Sequence, residues 1–358
     1  MNERETSVPN PPDITDLPVP DRLRADLVLD GGGVKGIGLV GAAERLSALG
    51  YTFPRVAGSS AGAIVGAMLT ALELAGEPVS RMVDMVRTLD YTKFRDLKPL
   101  PKMLRPFGSL SDWVALFSID GIYEGEYLRQ WLSGALADLG VRTFGDLRLP
   151  AGPGSPHADL PPDHRYRLVV TAADISRRRL TLFPWDYRDV YGLDPDEQPV
   201  ADAARASASI PFYFRPFTLT ARADRGVSTL VDGAILSSYP ITLFDRADGV
   251  APRWPTFGVR LLGPQGPDYV AKQVTGPLPI ALATMDTLID GHDRIHLEKP
   301  CTRARTAYVD TGGISPYDFD ISRAQQEELL AAGGRAVDEF LARWDFQRYL
   351  AQCRGGAS

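Results

Sequence analysis

Three short strings bring together residue types that can do chemistry. The first, Gly58-Ser59-Ser60-Ala61-Gly62, matches the pattern Gly-x-Ser-x-Gly. A serine held on a sharp turn from strand to helix needs small neighbours two residues to either side, which makes Ser60 the candidate nucleophile. A helix opening at this turn would also set Ser60 near a positive dipole end, where developing negative charge is stabilised.

The second string, Asp30-Gly31-Gly32-Gly33-Val34-Lys35-Gly36, admits several readings. As Gly-x-Gly-x-x-Gly between a strand and a helix it fits a dinucleotide loop, but that use needs an acidic residue about 20 positions on to hold the ribose. No Asp or Glu occurs between Glu44 and Glu73. A phosphate loop fails too, because Lys35 precedes Gly36 and no Ser or Thr follows. The remaining ligand-binding reading is an oxyanion hole over Gly31, Gly32, Gly33, Val34, Lys35 and Gly36, whose backbone N–H groups converge on one oxygen. A tight turn with no ligand is the plain alternative.

Serine is a weak nucleophile at neutral pH and needs a base. His157 and His164 lie in or beside a Pro-rich stretch, which leaves His292 and His296 among the four histidines. The order Ser60, Asp232, His292 matches the α/β-hydrolases. Against it, Ser60 follows only the second strand, and His292 sits at the polar end of a helix, where capping or solvation explains it. The other candidate is Asp232 in Thr229-Leu230-Val231-Asp232-Gly233-Ala234, an apolar strand delivering an acid to a turn. By itself an Asp-Gly pair marks a turn as readily as a base.

The elements that must position these groups alternate. Residues 25–30 and 55–57 read as short strands, and 36–50 and 61–75 as helices, the pattern of an α/β architecture with a largely parallel sheet. Further helical spacing falls at 78–89, 123–139, 199–209, 277–290 and 322–343, and strand-like runs at 167–173, 179–183, 228–231, 256–262 and 305–309. Residues 1–24 carry five prolines and read as a loose tail. Residues 150–165 are a Pro-rich loop. A domain boundary between Gly31 and Asp232 would break up the three strings, so one enlarged domain over 25–350 is expected.

The chain has 358 residues, 44% of them hydrophobic and 23% charged, which is ordinary for a globular protein. Its net charge of -6 gives no general attraction to nucleic acid. Cys301 and Cys353 lie in no zinc-binding spacing, and no acidic cluster suggests calcium, so neither metal nor cofactor is expected. Two cysteines, no signal-peptide pattern and no apolar run of membrane length predict a cytoplasmic protein with reduced thiols. One segment departs from the average: over 91–107, Lys93, Arg95, Lys98, Lys102 and Arg105 face a single acid and alternate with apolar residues. That pattern suits a peripheral contact with an anionic lipid surface, within a lid-like excursion over 91–120, or a surface excursion packed on the core.

Taken together and in order, Asp-Gly-Gly-Gly-Val-Lys-Gly, Gly-Ser-Ser-Ala-Gly and Asp-Gly-Ala resemble the patatin-like phospholipases, lipid acyl hydrolases that use a serine and an aspartate without histidine. The run Ala206-Ser207-Ala208-Ser209-Ile210-Pro211 is similar to a further family segment, and the resemblance spans roughly Asp26 to Leu243. It implies a three-layer α/β/α fold around a mostly parallel sheet, Ser60 as nucleophile, Asp232 as base and the 31–36 loop as oxyanion hole. It implies an acyl lipid such as a phospholipid as substrate, and Lys35 orienting the loop or meeting a lipid phosphate. Ala234 stands where many members have glycine. A catalytically silent lipid-binding protein on the same fold is the alternative from another functional class.

Overall fold

The computed structural model describes residues 23–94, 123–152, 154–222, 224–246, 248, 250–263, 273–297 and 299–354, without the side chains of 277, 278, 290 and 292–297. Most of the tail, the 95–120 part of the lid-like excursion and the basic positions beyond Lys93 therefore lie outside the described residues. The tail reading runs two residues too far, because Leu23–Arg24 (β1) pairs in parallel with Tyr51–Thr52 (β3).

The remaining strands form one eight-stranded sheet. Its parallel part runs, in spatial order, Thr306–Asp310 (β10), Thr256–Leu262 (β9), Asp26–Leu29 (β2), Val56–Gly58 (β4) and Leu168–Asp174 (β5). Beyond β5 the direction reverses: Arg179–Phe183 (β6) and Val227–Asp232 (β8) both pair antiparallel with β5, and Phe217–Thr220 (β7) pairs antiparallel with β8. The expected mostly parallel sheet is thus parallel over five strands, with hairpins completing one side. β7 has no counterpart among the expected strands, because its Phe-Thr-Leu-Thr is only partly buried and carries little apolar signal.

Alternation along the central strands shows both faces covered. Leu27, Leu29, Val56, Leu168 and Val170 enter the large core, while Val28, Ala57 and Val169 meet Tyr239, Ile241 and Phe244 on the opposite face. The large core lies under helices Ile37–Ala48 (α1), Ala61–Ala75 (α2), Ser80–Thr88 (α3), Glu126–Asp138 (α4), Val200–Ser207 (α5) and Arg323–Leu341 (α9). The second face carries the short helix Ala234–Ser237 (α6), on which Pro277–Leu297 (α7) packs. This is the three-layer α/β/α arrangement, with one thick and one thin helical layer.

The C-terminal third, which carries no recognisable string, is tied into this frame by close helix packing. On α1 a Cβ at Gly41 would stand 2.0 Å from the Leu330 carbonyl oxygen, and on α9 one at Gly333 would stand 2.1 Å from that of Gly38. Glycine is what lets the two backbones approach this closely. The expectation of reduced thiols is corrected here. Pro300–Ala304 (α8) and Phe346–Cys353 (α10) lie side by side, and Cys301 and Cys353 are joined in a disulfide with Cα atoms 5.6 Å apart. A separation of 52 residues hides this pairing in the sequence.

Candidate active site

Parallel β2 and β4 deliver the two glycine strings to the same edge of the sheet. Their carboxyl ends open into the crevice where open α/β sheets bind ligands. Ser60 follows β4 directly and caps α2 with φ 52° and ψ -119°, a left-handed conformation rare for a residue with a side chain. The flanking glycines make this turn possible. A Cβ on Gly58 would lie 2.2 Å from the Gly62 carbonyl oxygen, and one on Gly62 would lie 2.4 Å from that of Leu29. Ser59 is buried beneath the turn, donating to the Ser237 carbonyl at 2.6 Å and bonded to the Thr171 hydroxyl.

Register explains how Asp232 arrives. β4 stops at Gly58, paired with Val170, whereas β5 runs on to Asp174. Antiparallel β8 ends with Asp232 opposite Ala172, two residues beyond the point where β4 stops. The two side chains then meet across the end of β5. Ser60 Oγ donates to Asp232 Oδ2 at 2.7 Å, and Asp232 Oδ1 accepts from the Ala234 N–H at 2.9 Å.

Asp232 is buried, with 4% of its surface exposed. Burial pushes its carboxyl up to about 7, partly offset by the Ser60 hydroxyl and the Ala234 N–H. A carboxylate bonded by two donors would ordinarily stay ionised; here desolvation dominates.

The 31–36 loop is more selective than its string suggests. The Gly31 N–H donates to Ser238 through its carbonyl and hydroxyl, the Val34 N–H to the Pro316 carbonyl, and the Lys35 N–H to that of Gly32. Among the described residues, the N–H groups of Gly32 and Gly33 donate to no protein acceptor, and neither does that of Ala61 at the start of α2. The loop packs directly on the elbow, since a Cβ on Gly31 would lie 3.5 Å from Ser60 Cβ. Asp30 anchors it from below, accepting from the Ser238 hydroxyl at 2.6 Å and the Leu261 N–H at 3.1 Å.

Two cavities open at Ser60. One is apolar, has a volume of about 100 Å³ and is lined by α1, α2 and α4 together with Tyr91 and Phe94, the described start of the basic segment. The other has a volume of about 470 Å³ and is lined by Lys35, Asp232, Arg260, Asp286 and Tyr317 among others. His157 and His164 are elsewhere, lining a separate cavity with Arg55 and Thr256, at the amino-terminal ends of β4 and β9. His292 and His296 lie in the last turns of α7. The direct Ser60 to Asp232 bond leaves no imidazole between them.

A family model for patatin-like phospholipase matches residues 27–245, more than half of the chain. The chain belongs to the patatin-like phospholipase family. YqhO of Bacillus subtilis (strain 168) is 32% identical over 325 residues, covering 90% of this patatin-like chain and 99% of its relative. A Rhizobium meliloti (strain 1021) protein described as an RpoH suppressor is 31% identical over 145 residues, covering 33% of this chain and 22% of that protein. Among solved structures, VipD from Legionella pneumophila superposes with a TM-score of 0.47 at 17% identity, over 90% of this chain and 67% of that one.

Several groups around the patatin-like elbow escape a reading of the strings. Ser207 is the main one. Its hydroxyl accepts the Ser60 N–H at 2.8 Å and its carbonyl accepts that of Gly233 at 3.3 Å, while the Ser209 carbonyl accepts that of Asp232 at 2.9 Å. One short segment thus holds both backbones, and Arg205 braces it by donating to Ser209 Oγ at 2.6 Å. The likeness of 206–211 to a family segment marked the place without saying what it does. Ser207→Ala leaves a buried N–H without an acceptor, at a cost of about 1–3 kcal/mol to the strained turn. The expected result is a fall of about tenfold in kcat for ester hydrolysis with little change in KM, measured by steady-state kinetics.

Proposed function

We propose that this protein is a serine lipid acyl hydrolase of the phospholipase A or lysophospholipase type, with Ser60 as nucleophile and Asp232 as its only base. Family membership supports lipid hydrolysis in general. The observation that carries the finer reading is the 2.7 Å bond from a strained Ser60 to a buried Asp232 whose carboxyl lies near neutrality. A general base works best with its pKa close to the working pH.

In the proposed cycle Asp232 accepts the Ser60 hydroxyl proton as Oγ attacks the ester carbonyl carbon. The carbonyl oxygen becomes an oxyanion, stabilised by the N–H groups of Gly32, Gly33 and Ala61 and by the positive end of α2. Collapse breaks the bond to the alcohol, which leaves with the proton from Asp232. A water then attacks the acyl-enzyme, giving its proton to Asp232, and the fatty acid departs as Ser60 regains its hydrogen. Lys35, in the lining of the polar cavity, then meets the leaving group and moves no proton. No observation favours the triad through His292 or a silent binding role.

The test is release of free fatty acid from lysophosphatidylcholine and phosphatidylcholine vesicles. Because only ionised Asp232 can take the proton, kcat/KM is expected to rise with pH to a plateau, with its midpoint at about 7. A profile that falls rather than rises with pH would count against Asp232 as the base, and absence of fatty acid release would overturn the reading as a whole.

A further inference from the structure

The two cavities that meet at Ser60 differ in chemistry, and the apolar one has a definable end. α2 contributes Ala61, Ile64, Val65 and Met68, the face generated by helical spacing of three and four. α1 contributes Ile37 and Val40 across from them. Among the described residues, the polar side chains of the lining apart from Ser60 are those of Tyr91 and Trp131. Past Met68 the helix leaves the cavity: Leu69, Ala71 and Leu72 are fully buried in the core.

At a rise of about 1.5 Å per residue, Met68 stands about 12 Å from Ser60 along α2, the reach of about ten carbons of extended chain. Among the described residues around Ser60, a second acyl chain finds no equivalent apolar cavity. The other cavity presents Asp30, Lys35, Arg260 and Asp286 beside the dyad, and covering them with hydrocarbon would desolvate charge.

We propose that the apolar cavity takes one unbranched acyl chain and that Met68 sets the longest chain that fits, which makes single-chain esters of about ten carbons the preferred substrate class. This rests on Ser60 being the nucleophile. Methionine suits such a stop, being flexible and apolar, but its volume still limits the depth. The leaving alcohol, with whatever head group it carries, then occupies the polar cavity.

The test measures kcat/KM for p-nitrophenyl esters from two to sixteen carbons with the wild type, Met68→Trp and Met68→Ala, and compares monodecanoyl with didecanoyl phosphatidylcholine. The wild type is expected to peak at about ten carbons and to favour the monoacyl lipid at least tenfold. Each methylene that no longer fits is worth about tenfold or more, so Met68→Trp moves the optimum to shorter esters with at least that loss at ten carbons. Met68→Ala moves it to longer ones. An optimum unchanged in the folded variants, or a wild-type preference for sixteen carbons or for the diacyl lipid, overturns the proposal. Should Met68→Trp fail to fold, the shift in Met68→Ala decides. Hydrolysis of none of the esters would overturn the nucleophile assignment, and this proposal with it.

Discussion

Asp232→Asn is expected to lower kcat for ester hydrolysis by about 10³- to 10⁴-fold while making the protein more stable. The amide keeps an oxygen to accept the Ala234 N–H and fills the same space, so the strand end and the elbow stay in place. What is lost is the ability to take the Ser60 proton. The gain in stability follows from the raised carboxyl. Between its usual value of 3.8 and about 7, the folded protein retains a proton that the unfolded chain has released. Stability contributed by Asp232 is therefore full below about pH 4, falls as pH rises to about 7, and stays low above that. At 1.36 kcal/mol per pKa unit, the penalty removed at pH 8 is at most about 4 kcal/mol. Thermal melts of both proteins at pH 5 and pH 8 check this: the variant should gain more at pH 8. Equal melting temperatures at pH 8 would show that Asp232 is not held at a stability cost, and hydrolysis within tenfold of wild type would show that it is not required as the base.

Ser60→Ala carries the largest loss expected. Without Oγ no acyl-enzyme forms, and only the N–H donors and substrate binding remain to assist attack by water, so kcat falls by about 10⁴-fold or more. The fold is expected to persist. Asp232 loses the hydrogen bond that favours its charged form and becomes easier to keep protonated, which suits a buried site. Alanine inherits the positive φ of the elbow, but serine bears the same backbone strain. Hydrolysis of a short ester measured beside a circular dichroism spectrum separates the two effects: activity should vanish from an intact protein.

The comparison of sequence and structure divides along physical lines. Gly58, Gly62 and the glycines of the 31–36 loop were legible because backbone proximity admits no other residue, and steric necessity leaves a local mark. Asp232 was legible as an acid at a strand end, but its pairing with Ser60 depends on β5 outrunning β4, a register that no local string records. The proposed oxyanion donors within 31–36 were not separable by sequence. Which of the loop's N–H groups stay available depends on Ser238 and Pro316, far along the chain.

Ser207 illustrates the same limit, since a serine among small residues carries no signal of the backbone group it will accept. The cysteines were misjudged because counting and spacing report zinc sites and disulfide frameworks, not a single bridge between two short helices. Helical periodicity placed α2 over its full length. The same residues line a cavity and fill a core, however, and Met68 is told apart from Leu69 only by the packing around them.

The most direct measurement of the central claim is covalent labelling by a fluorophosphonate, followed by peptide mass mapping. A serine activated by an adjacent base, with N–H donors set for a tetrahedral oxyanion, should take the phosphonyl group on Oγ. One adduct per chain on the peptide containing Ser60, absent in Ser60→Ala and unaffected by His292→Ala and His296→Ala, is the expected result. An unlabelled wild-type protein, or an adduct on any other serine, would contradict Ser60 as the nucleophile.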